Sequence, residues 1–234
     1  MVKLKKSFLD ACRMCLKDMP KDENLYFPHS LPICVLDAVF SIGIRYEMAQ
    51  KAWINYKDYY KLSFLSMEDV EKGMKDDCEH TINDFIDNVN SFDDIESFRS
   101  SVKISRHRTS SRNGILKIEA VYEIARILQN HSINTVEDFR YYPDHSTLDK
   151  EICDVRGQKS GIMLKYLYML AGDKNKCKLD RVLKAFVSKY YPNLSDDEII
   201  ELLSNTVSAL KDERSDLTLR LLDCAIWKKT RKKK

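Results

Sequence analysis

The stretch Asp154-Val155-Arg156-Gly157-Gln158-Lys159-Ser160-Gly161 decides how this chain is read. Only six glycines occur in 234 residues, yet Gly157, Gly161 and Gly172 fall within sixteen positions, with Lys159 between the first two. A turn joining two helices accounts for this if Gly157 takes a backbone conformation closed to other residues and Gly161 lets the helices approach closely. A phosphate loop of the G-x-x-x-x-G-K-[ST] kind fails here. Gln158 separates Gly157 from Lys159, no glycine lies five residues upstream, and no buried strand precedes the turn.

Outward from the turn, apolar residues recur at helical spacing and no alternation of period two is evident. Short helices are predicted near 135–141 and 146–153, and GIMLKYLYMLAG after the turn reads as a buried helix. LDRVLKAFVSKYY reads as amphipathic, and Ser195 with Glu198 forms a capping box that opens DDEIIELLSNTVSAL. SDLTLRLLDCAIW precedes a basic tail, residues 228–234. Upstream, Leu4, Phe8, Cys12, Cys15, Leu16 and Met19 share one face of an opening helix stopped by Pro20, and residues 21–32 form a linker. ICVLDAVFSIGI is apolar enough for burial on most sides, with an elbow at SIGIRYE before EMAQKAWINYKDYY. Ser66 with Asp69 starts a predicted long acidic helix through about Asn90, SFDDIESF adds a short helix, and a regular helix follows Asn113. The predicted fold class is all-α, with about ten helices and no repeats.

Composition agrees with a helix-rich globular protein: 44% hydrophobic, 32% charged, and few glycines and prolines. No apolar run is long enough to span a bilayer, and the first twenty residues are too charged for a signal peptide, so an intracellular location is expected (cytoplasm or nucleoid, or nucleus). In a reducing compartment the seven cysteines are free thiols; Cys12 and Cys15 are either one buried helix face or half of a metal site. The net charge is +3, and removing the six positive charges of KKTRKKK leaves −3. A second basic stretch, residues 99–112, carries Arg99, Lys103, Arg106, Arg108 and Arg112 with no acid inside it. Two basic patches on a slightly acidic body point to a polyanion held at defined places, or to a solvated tail and loop.

Short helix, glycine turn, buried helix and then an aspartate opening a new helix at KLDRVLKAF resembles the helix-hairpin-helix DNA glycosylases related to endonuclease III. Gly157 falls on the family's second hairpin glycine, Lys159 on the lysine that bifunctional members use as nucleophile, and Asp180 on the catalytic aspartate. ICVLDAVFSIGIRYEMAQKAW and GILKIEAVYEIARILQNHSINTVEDF resemble the family's early buried helix with its elbow and the helix before the hairpin. Val155 and Arg156 depart from the hairpin pattern, and Gly43-Ile44-Arg45-Tyr46 stands where relatives carry an intercalating polar residue.

The resemblance implies two helical lobes with a helix-hairpin-helix motif between them: residues 1–32 with 172–234, and residues 33–171 ending in the hairpin. It implies a monomer acting on double-stranded DNA, flipping out a damaged or mismatched base and cleaving its N-glycosidic bond, with AP-lyase activity open through Lys159. Gly157, Gln158, Ser160, Gly161, Arg45, Tyr46, Arg106, Arg108 and Arg112 are the expected DNA contacts. Cys224 alone lies where relatives keep four cluster cysteines, so neither an iron–sulfur cluster nor another cofactor or metal is expected. Asp180 would stabilise positive charge at the anomeric carbon, or serve simply as a helix N-cap. To attack, Lys159 must lose its proton, and lowering an ordinary ammonium pKa to near 7 costs roughly 4 kcal/mol. A non-catalytic DNA-binding protein of the same fold and a protein-interaction module are the alternatives.

Overall fold

The computed structural model describes residues 2–20, 29–63 and 79–231. The expected helix start at Ser66 and Asp69, most of the linker, Cys78 and the last three lysines lie outside the described residues. Twelve helices and no strand occur among the described residues, so the chain is all-α. They are α1 Lys6–Leu16, α2 Leu31–Phe40, α3 Tyr46–Tyr59, α4 Ile82–Asn90, α5 Ile95–Ser101, α6 Lys117–Asn130, α7 Val136–Tyr141, α8 His145–Asp154, α9 Ile162–Leu170, α10 Arg181–Ser188, α11 Asp196–Leu210 and α12 Leu219–Arg231. The chain divides into two compact units, Met1–Leu25 with Asp173–Lys234, and Tyr26–Gly172.

The larger unit is organised around α2, every residue of which is buried. An apolar helix covered on all sides needs neighbours all round, and α3, α6 and α9 pack against it. Its C-terminal carbonyls meet a cation: Lys117, 2% exposed, donates from Nζ to the carbonyls of Val39 (2.8 Å), Phe40 (3.1 Å) and Ile42 (2.6 Å). This is a helix C-terminus satisfied by a buried ammonium, which also fixes the elbow that follows.

Two predicted boundaries differ. The acidic helix does not run unbroken to Asn90, because Thr81 is extended and opens α4 with a reciprocal capping box to Asp84. The helix expected just after Asn113 starts at Lys117. Residues before it pair backwards instead: Thr109 N donates to Ile115 O at 2.9 Å, Lys117 N to His107 O at 2.8 Å, and Arg108 and Leu116 form an isolated antiparallel bridge.

The smaller unit closes α1, α10 and α11 over α12. Phe8 on α1 meets the Tyr191 ring edge-on at 5.3 Å, and Cys12 and Cys15 are buried in the same apolar core. Burial pushes the Cys12 thiol up to about 12, which disfavours a thiolate there. The capping box of Ser195 and Glu198 opens α11 as predicted. The basic tail is partly helical, since α12 continues to Arg231.

Candidate functional site

The turn after α8 begins where Gln158 N donates to Val155 O and Gly161 N to Gln158 O, both at 2.9 Å. Gly157 has φ +90° and Gly161 φ +68°, so both occupy the left-handed half of backbone space. The close approach expected at Gly161 is found at Gly157 instead. A Cβ on Gly157 would lie 2.4 Å from Thr109 Cβ and 2.5 Å from its Oγ1, whereas one on Gly161 would meet Cys153 Sγ at an ordinary 3.9 Å.

Thr109 belongs to the loop between α5 and α6, so the glycine turn and the basic stretch of residues 99–112 touch. That loop doubles back at Asn113-Gly114, where Asn113 has φ +54° and a Cβ on Gly114 would lie 2.4 Å from Ser110 N. Arg108 braces the bend, donating from Nη1 to Gly114 O at 2.7 Å. Together the two turns surround an open depression of about 680 Å³, lined by Arg108, Ser110, Arg112, Asn113, Gly114, Arg156 and Gly157. Its lining includes three exposed arginines and no carboxylate. Guanidinium forks match the paired oxygens of a phosphate, so the depression is suited to an anion. Glu123 senses the charge of Arg156, which acts against the rise that burial and Glu119 impose on its carboxyl.

The expected DNA-binding residues fare unequally. Arg108, Arg112 and Gly157 come together in the basin. Arg106 does not line it; its Nε lies 3.6 Å from Glu96 Oε1. Arg99 forms a two-pronged pair with the same carboxylate, at 2.9 and 2.8 Å, and also bonds the Ile104 carbonyl. The basic stretch is therefore partly neutralised by an acid from α5, contrary to its appearance in sequence. Gln158 turns inward and is 4% exposed, whereas Lys159 and Ser160 are exposed at the turn. Arg45 is exposed at the α2–α3 elbow, and the Tyr46 hydroxyl lies 3.5 Å from Asp37 Oδ2; neither residue lines the basin. Arg156, which in sequence is a departure from the hairpin pattern, is a basin residue. The roles of Thr109 and Gly114 also escape the sequence reading, although the Asn113-Gly114 dipeptide is a strong turn signal.

Asp180 lies in the smaller unit and caps α10, its Oδ1 accepting from Val182 N at 2.7 Å and Leu183 N at 3.1 Å. The loop leading to it is tied to α12, because Asp223 Oδ2 accepts from Lys178 N at 2.6 Å. Burial, reinforced by the nearby charge of Asp180, pushes the Asp223 carboxyl up to about 7 even though the Lys178 amide favours its ionised form.

These features define an all-helical protein whose larger unit carries an arginine-lined basin beside a glycine turn. The chain belongs to the family described as Domain of unknown function (DUF8548), which matches residues 6–231. No curated protein and no solved structure matches it.

Proposed function

We propose that the protein binds double-stranded DNA through phosphates seated in the Arg108–Arg112–Arg156 basin, and that it serves N-glycosidic base excision with Asp180 as the catalytic carboxylate. The observation that carries the binding half is that three arginines, from two separate turns, line one depression without a lining acid. A phosphodiester neutralises such a cluster, and binding of this kind weakens with salt in proportion to the number of phosphates engaged. The catalytic half rests on the family resemblance and on the restraint of Asp180, whose Oδ1 is held by two backbone amides. With Lys159 exposed, the favoured chemistry is hydrolytic, using water rather than an amine nucleophile.

The second reading is a DNA-binding protein without catalysis, favoured by the complete account that N-capping gives of Asp180. The deciding experiment incubates the full chain with duplexes carrying deaminated, oxidised, alkylated and mismatched bases. Release of a free base that is lost in Asp180→Asn supports excision; duplex binding with no released base from any substrate leaves the binder alone. Failure to bind any duplex even at low salt overturns both.

A further inference from the structure

Away from the basin, His29, Glu79 and Glu137 bring three potential ligand atoms within 4.8 Å of one another. His29 stands two residues before α2, Glu79 three before α4, and Glu137 in the first turn of α7. Nearby hydrogen bonds hold the same segments together, since Ser30 Oγ donates to His80 O at 3.1 Å and Ile82 N to Asn134 O at 3.0 Å. We propose that the three side chains form a binding site for one divalent cation of the zinc or manganese class, joining the starts of α2, α4 and α7.

The first argument is charge. His29 is only 6% exposed, and the carboxylates of Glu79 and Glu137 share its surroundings. One imidazolium cannot neutralise this group, whereas a divalent cation with two carboxylates and a neutral imidazole sums to zero.

Unsatisfied atoms give the second argument. His29 Nε2 lies 2.9 and 2.8 Å from the two oxygens of Glu137, a forked arrangement in which one proton serves both poorly. Glu79 Oε1 and His29 Nδ1 are buried without a hydrogen-bond partner. Buried polar atoms in native proteins are nearly always satisfied, and a central cation gives Glu79 Oε1 the partner it lacks. The donor set then selects the ion. One imidazole nitrogen with two carboxylates suits zinc, manganese or cobalt, whereas calcium and magnesium favour oxygen alone. Three protein ligands leave a coordination position for water or a further ligand.

The test uses the full chain stripped with a chelator and titrated calorimetrically with zinc or manganese chloride alone. The expected result is one saturable site, weakened about 10–100-fold in His29→Gln, Glu79→Gln and Glu137→Gln, with Glu123→Gln unchanged. Metal should also raise the thermal midpoint of the wild type and leave that of Glu79→Gln unmoved. Cobalt(II) loading of the wild type provides a reading that does not depend on any variant folding. Visible bands without a thiolate charge-transfer band are expected from nitrogen and oxygen ligands. A thiolate band abolished by Cys12→Ser, or no saturable binding of either ion, would overturn the proposal.

Discussion

The Thr109 side chain occupies the space in which any residue but glycine at position 157 would place its Cβ, at 2.4 Å. This packing locks the arginine-bearing loop to the turn after α8, so basin geometry and glycine identity are linked. Gly157→Ala should therefore cost about 3 kcal/mol, combining overpacking with a left-handed backbone strain. Adding Thr109→Gly should recover the packing part and leave the backbone part. Chemical denaturation of the single and double variants separates the two, and full recovery would show that φ at position 157 is unimportant.

Lys117 is the buried cation on which the end of α2 depends. Lys117→Met keeps the stem and leaves three carbonyls unsatisfied, so a loss of about 3 kcal/mol is expected. A change below ~0.5 kcal/mol in urea unfolding would mean that water replaces the ammonium.

Alanine at Arg108, Arg112 or Arg156 should weaken duplex binding roughly 5–10-fold and lower the dependence of log K on log salt by about one for each phosphate no longer neutralised. Arg106→Ala should do less, because Arg106 is already paired with Glu96. Fluorescence anisotropy over a salt series reads both quantities, and equal losses at all four positions would assign the effect to net charge rather than to the basin.

Asparagine caps helices about as well as aspartate, so Asp180→Asn should keep stability within about 0.5 kcal/mol while eliminating base release. Asp180→Ala loses the cap and should cost about 1 kcal/mol. Thermal unfolding beside a base-release assay distinguishes a catalytic carboxylate from a structural one.

Asp223 predicts a pH dependence. Its folded pKa, about 7, lies above the ordinary carboxylate value, so between roughly pH 4 and 7 the folded chain holds a proton that the unfolded chain has lost. Its contribution must therefore become less favourable as pH rises through that window, by roughly 4 kcal/mol in total. Relative to Asp223→Asn, the wild type should lose stability from pH 5 to pH 8. Parallel curves for the two proteins would show that the carboxyl is not raised.

Much of the local structure is legible along the chain. The apolar run of α2, the Ser195–Glu198 box, the helices flanking the glycine turn and the need for glycine at 157 all follow from periodicity, capping and φ. The unbroken helix to Asn90 fails because Thr81 is extended and shares a reciprocal capping box with Asp84, which starts α4 there. Arg106 looks unpaired in sequence because its acid lies ten residues back on α5. Arg156 looks like a defect in a motif because its companions come from a loop more than forty residues earlier.

The sequence by itself determined an all-helical chain and the position of its glycine turn, since helix periodicity, caps and left-handed glycines are properties of neighbouring residues. Only the tertiary structure decided that Gly157 would bear on Thr109, that Lys117 would end α2, and that DVRGQKSG would contribute Arg156 to an arginine-lined basin while Gln158 turned inward. Those outcomes depend on which distant side chains share a small space, and neither spacing nor propensity along the chain carries that information.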